Sequence, residues 1–148
     1  INDMRSFTQD PRYCVIVLSE IASRALSPAV NDPGTAIDII GTQLRLLAPI
    51  AQNATQTSTQ DTAHQNVFIP AIDAQDLTDD AFMAIARDGA GVFEVCIRLQ
   101  KVLASLADMH DPAMADAAKN TARHAFTLCE GALPLEAQRS AVRAAAAF

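Results

Sequence analysis

Aspartate followed by proline occurs three times in this chain, at Asp10-Pro11, Asp32-Pro33 and Asp111-Pro112, and each pair opens a segment with apolar residues at helical spacing. Aspartate at an N-cap accepts a backbone N–H from the first turn. Proline at the first helical position gives up only a hydrogen bond that a helix end does not make. Three helix starts are therefore marked before propensity is considered. The chain holds 29 alanines and no tryptophan, and Tyr13 is its sole tyrosine. Burial must then come from many small and aliphatic side chains on helices rather than from aromatic sheets. With 148 residues, 50% of them hydrophobic, there is material for one core. The expected fold is all-α, a single domain over residues 1–148 with five or six helices in a bundle-like or orthogonal array and one long polar loop.

The periodicity predicts a first helix from Pro11 to about Ser27, stopping before Pro28 because a residue preceding proline is pushed out of the helical region. Its middle is apolar on nearly every side, which predicts a central position. The second helix, Pro33 to about Gln52, carries Ala36, Ile37, Ile40, Leu44, Leu47 and Ala51 on one stripe. Residues 53–77 read as a polar, acidic loop, with Val67 to Ile72 expected to lie extended against the helices. Thr78-Asp79-Asp80 reads as the capping signal of a third helix, which Gly89 and Gly91 break. Val92 to about Met109 has the cleanest period. Asp111 then caps a helix ending at Gly131, and an alanine-rich helix follows Pro134 with Leu135, Val142 and Phe148 as its larger apolar residues.

The formal charge of -6 lies in the middle of the chain: residues 53–80 hold five acids and no base, whereas residues 81–148 hold seven of each. No stretch concentrates Lys and Arg as nucleic-acid binding requires, so a nucleic-acid partner is excluded. The same lack of a basic patch argues against contact with anionic lipid heads. Every apolar run is interrupted by charged or polar residues before the roughly 20 residues of a spanning helix are reached. The three cysteines, Cys14, Cys96 and Cys129, are odd in number and far apart, which gives no disulfide framework. Cys96 and Cys129 fall on apolar stripes and read as core residues.

The connection between the first two helices is long for a helical hairpin. Gln9-Asp10-Pro11-Arg12-Tyr13, then Leu18 through Ala22, then Ala25-Leu26-Ser27-Pro28-Ala29-Val30-Asn31-Asp32-Pro33-Gly34-Thr35-Ala36 resembles the signature of a bacterial family of predicted membrane proteins of unknown function. The resemblance extends more loosely to Phe82 and to Ile85 through Ala90, and departs at Cys14, where the pattern is expected to have glycine. It implies a parent protein anchored in the membrane by spans N-terminal to Ile1, of which this chain is a soluble helical fragment, placed on the cytoplasmic side as a working assumption. It implies no activity.

Arg24, Ser27, Asn31, Asp32 and Thr35 gather at one end of the hairpin and are the candidate ligand-binding residues, Arg24 offering donors to an anionic or polar ligand. The competing reading is architectural: Asp32 caps the second helix through Thr35, Asn31 bonds its own loop, and Arg24 pairs with Glu20 or Asp32. That reading is preferred, because capping explains the residue types without a ligand. Asp10 and Asp32 do not suit paired acid–base chemistry. They start consecutive antiparallel helices and so lie roughly 25 Å apart at about 1.5 Å per residue, against about 5–9.5 Å for a glycosidase pair. His64, His110 and His124 form no metal-ligand spacing, and Cys14 has no nearby histidine in sequence. No catalytic residue, metal or cofactor is expected. The leading functional reading is a non-enzymatic domain acting in assembly, with a second copy as the expected partner, or in sensing a small ligand. The alternative is an enzyme or dedicated ligand binder using the Arg24 to Thr35 corner.

Overall fold

A computed structural model describes residues 11–53 and 72–146. The described residues form six helices and no strand: α1 Pro11–Ala25, α2 Pro33–Asn53, α3 Ala74–Asp88, α4 Phe93–Ala107, α5 Pro112–Ala132 and α6 Glu136–Ala145. The protein is an all-α single domain. The expected cap at Asp10, the polar stretch 54–66, the apolar stretch 67–71 and Phe148 lie outside the described residues.

Five helices close a ring in the order α1, α2, α4, α5, α3, and α6 sits outside it across α4 and the end of α5. Antiparallel pairing of α4 and α5 is set by Gln100, whose buried Nε2 donates to Ala122 O at 3.0 Å. Gln43 on α2 ties itself to α1 in the same manner, Nε2 to Val15 O at 2.8 Å. Side chains that are fully buried include Ile40, Leu47, Phe82, Ile85, Leu99, Leu103 and Leu106. Between them, Ala118, Ala122 and Ala125 of α5 and Ala81 and Ala86 of α3 are buried as well, and their small size lets helices approach closely. Truncating Phe82 in such a core carries the cavity cost of about 3–5 kcal/mol.

Three expectations are corrected. The helix α1 is not central. It packs mainly on α2 and α3, and Ile21 is 43% exposed. An all-round apolar sequence did not locate the centre, since several of its side chains are half-buried at the surface. The centre falls to α4, which touches α2, α3, α5 and α6. Secondly, α3 begins at Ala74 and not after Thr78: Asp73 is its N-cap and accepts the Asp76 N–H at 3.0 Å. Residues 74–77 of the expected loop are thereby helical. Thr78 is instead fully buried inside the helix, its hydroxyl returned to Ala74 O and Gln75 O, both at 3.0 Å. Thirdly, α1 ends at Ala25, two residues before the expected stop. Of the larger apolar residues at the last helix, Val142 is buried and Leu135 is 58% exposed. The helix α2 runs through Pro49. This exposed residue has no N–H to donate to the carbonyl of Arg45, which is also exposed.

Candidate functional site

The corner between α1 and α2 is built by backbone bonds that fold the chain back on the end of α1. Asn31 N–H donates to Ser27 O and Asp32 N–H to Ala25 O, both at 2.8 Å. Asn31 has φ of 49°, and asparagine is among the few residues that accept this left-handed conformation at low cost. Ser27 Oγ donates to Arg24 O at 2.7 Å, adding to the Ser27 N–H that the same carbonyl accepts at 3.2 Å at the helix end. Asp32 caps α2: Oδ1 accepts the Thr35 N–H at 3.1 Å and Oδ2 the Thr35 hydroxyl at 2.6 Å. The hydroxyl bond, with the Thr35 N–H adding to it, holds the Asp32 carboxyl below the ordinary carboxylate range. Asn31, Asp32 and Thr35 thus have architectural duties at an exposed corner.

Arg24 and Ser27 face elsewhere. Helices α1 and α3 run parallel, because Arg12 near the start of α1 reaches Asp76 and Asp80 while Ser23 near its end reaches Asp88 at the end of α3. Their C-terminal ends enclose an open cavity of about 700 Å³, with Glu20, Ser23, Arg24 and Ser27 on the α1 side and Arg87 and Asp88 on the α3 side. Leu26, Pro28 and Ala84 complete its wall. The Asp88 carboxylate accepts Arg87 Nε at 2.8 Å and Arg87 Nη2 at 3.2 Å, as well as the Ser23 hydroxyl. The Arg87 bonds, with Ser23 in support, hold its carboxyl low against the opposing effect of partial burial. Arg24 differs: its guanidinium has no hydrogen bond or ion pair with a described residue, neither with Glu20 nor with Asp32, contrary to the expected pairing. It lies exposed at the rim with its fork of donors open.

Of the five residues singled out by sequence, the cavity unites Arg24 and Ser27 and leaves Asn31, Asp32 and Thr35 outside its lining. Ser23, Arg87 and Asp88 were missed. The Arg87-Asp88 step ahead of a glycine was a visible signal, but nothing in one sequence says that α3 lies parallel to α1. A second, apolar cavity of about 200 Å³ lies between Cys14, Val15, Leu46, Leu47, Ile50 and Leu77. Among the described residues no group of three His, Cys, Asp or Glu side chains is placed to hold a metal ion, and His110 and His124 are exposed.

A family model described as predicted membrane protein (DUF2254) matches residues 1–105, more than two thirds of the chain. The chain belongs to the DUF2254 family. Its matched residues cover α1 to α3 and most of α4, and so contain the whole lining of the larger cavity. The helices α5 and α6 of this DUF2254 chain lie beyond the match. No curated protein and no solved structure matches the chain. Among the described residues, no helix is long and apolar enough to cross a membrane.

Proposed function

We propose that this helical region is a non-catalytic sensing module of a membrane-anchored DUF2254 protein, and that it binds a small polar ligand carrying an anionic group in the cavity between the ends of α1 and α3. The observation that carries the reading is Arg24, a guanidinium at the cavity rim with no partner among the described residues, set beside an Arg87 already engaged by Asp88. A planar fork of donors suits a carboxylate or phosphate oxygen pair. Glu20 and the Ser23 and Ser27 hydroxyls line the same space, which favours a ligand that also carries donors. The membrane anchor is supplied by segments other than the described helices, in keeping with the family's description.

The test is a thermal-shift and calorimetric screen with inorganic phosphate, small dicarboxylates and zwitterionic amino acids. A saturable rise in unfolding midpoint is expected with at least one probe, abolished in Arg24→Gln and kept in Asp32→Asn, where asparagine still caps the helix. Binding by none of the probes, or binding that survives Arg24→Gln, refutes the reading. A second reading, assembly with another copy of the chain, is favoured by the apolar cavity and by exposed Leu46 and Ile50 beside it. Light scattering on the chain and on Leu46→Lys decides that point: a strict monomer in both removes it.

A further inference from the structure

Cys96 on α4 and Cys129 on α5, distant in sequence, meet in the core. Each is 1% exposed, and their Sγ atoms are 2.7 Å apart. That separation is far inside ordinary contact between unbonded atoms, which is about 3.5–4.0 Å for carbon, and is not far from the roughly 2.05 Å of a disulfide. The antiparallel register of α4 and α5 is what holds them there, as the Gln100–Ala122 bond one turn further along α4 shows. Cys96 Sγ also lies 3.3 Å from Ala90 O and 3.5 Å from Gly89 O, which fixes its position from the α3–α4 corner.

The pair is roofed by the slightest element of the fold. The helix α6 has ten residues and buries only Val142, which joins Phe126, Leu133 and both cysteines in a small cluster separate from the main core. Its other ties are polar: Arg139 Nη1 to Leu133 O at 3.0 Å, Arg143 Nη2 to Glu130 at 2.6 Å, and Arg143 over the Phe126 ring at 5.1 Å. A short helix with one buried side chain belongs to the low-stability end of a structure and opens locally before the rest.

We propose that Cys96 and Cys129 are a disulfide-forming pair that staples α4 to α5, with α6 as the cover that admits the oxidant. A low-molecular-weight disulfide such as oxidised glutathione supplies the oxidising equivalents. The Cys129 thiolate attacks one sulfur of the donor, forming a mixed disulfide and releasing the first glutathione thiolate, which takes up the proton that Cys129 lost. Cys96 then loses its proton, displaces the second glutathione from Cys129 and closes the intramolecular bond. Two cysteine thiols are oxidised and one donor disulfide is reduced to two thiols. Exchanging the two cysteines in these steps gives the same bond; in either order one thiol attacks while its neighbour stays protonated, since two thiolates 2.7 Å apart oppose each other.

The experiment incubates the folded chain with oxidised glutathione, alkylates free thiols in denaturant and maps peptides without reduction. The expected product is a Cys96–Cys129 linked peptide two hydrogens lighter than its separate halves, with Cys14 outside the bond. Val142→Ala, which loosens α6, is expected to cross-link several-fold faster than the unaltered chain. Arg139→Ala, which removes the tie to Leu133 O, should do the same and serves if the first variant folds poorly. Hydrogen exchange over residues 136–145 reports when α6 opens. If both thiols are still free once α6 amides have exchanged, or if Cys14 takes a place in the bond, the pairing is overturned. Unchanged cross-linking rates in both α6 variants overturn the cover.

Discussion

Replacing Gly89 by alanine tests the α3–α4 corner, which joins the large cavity to the cysteine pair. Gly89 closes α3 with its N–H on Ile85 O at 2.8 Å and has φ of −97°, a value open to any residue, so the backbone itself raises no objection. Space does. An added Cβ would stand 2.6 Å from Val95 Cγ1, 2.9 Å from Ile85 O and 3.3 Å from Leu26 Cδ1. Val95 is 1% exposed and hemmed in by the core, and the Ile85 carbonyl is part of the helix end, so neither yields freely. Overpacking of this kind costs about 1–3 kcal/mol. Against it stands the smaller entropy of an unfolded chain bearing alanine in place of glycine, worth about 0.4–1 kcal/mol. The net expectation spans about 0–2.6 kcal/mol of destabilisation and centres on about 1.3 kcal/mol, read as a lower urea midpoint at unchanged slope. Gly91→Ala is the internal control. It has the same chemistry two residues on, no atom within 4 Å of the added Cβ and no positive φ. It should be neutral or stabilising by up to about 1 kcal/mol. Equal shifts for the two variants, or a Gly89→Ala chain more stable than its parent, would refute the packing argument.

Thr121→Val should cost about 1–3 kcal/mol in the same assay, because the fully buried Thr121 hydroxyl is shared with Thr78 at 3.3 Å, Asp79 at 3.1 Å and Gln75 at 3.2 Å across α3 and α5. Arg12→Ala removes ion pairs to Asp76 at 3.1 Å and Asp80 at 2.6 Å. All three side chains are at least a quarter or so exposed, so the loss should stay below about 1 kcal/mol and shrink further in molar salt, checked by parallel urea titrations. Folding holds the carboxyl of Asp88 below its ordinary range, so its stabilisation is fully present above the unfolded carboxylate value near 4 and is lost as pH falls through the lower folded value. The unfolding midpoints of the parent and Asp88→Asn chains should therefore converge as pH falls below about 4, and a constant gap would contradict this. A closed Cys96–Cys129 bond should add about 3–4 kcal/mol by constraining the unfolded chain, seen as a higher thermal midpoint that dithiothreitol reverses.

The sequence alone determined what is local. Asp32 and Asp111 cap the helices they announce, and the stripe of Leu99, Val102, Leu103 and Leu106 is buried as its spacing requires. Hydrogen bonds to the nearest turn and a 3.6-residue period act within a few residues, so they are legible along a line. The start of α3 shows the limit: Thr78-Asp79-Asp80 has the composition of a cap, yet Thr78 is buried against Thr121 of α5 inside the helix, and Asp73 is the cap. Tertiary structure alone decided that α1 lies parallel to α3, which puts Arg24 opposite Arg87 and Asp88, and that α4 lies antiparallel to α5, which brings Cys96 to Cys129. It also decided that Gly89 has no room for a side chain and Gly91 does. Each of these depends on which helix faces occupy the same space, and that follows from closing one core among all the helices together, a property no single segment carries.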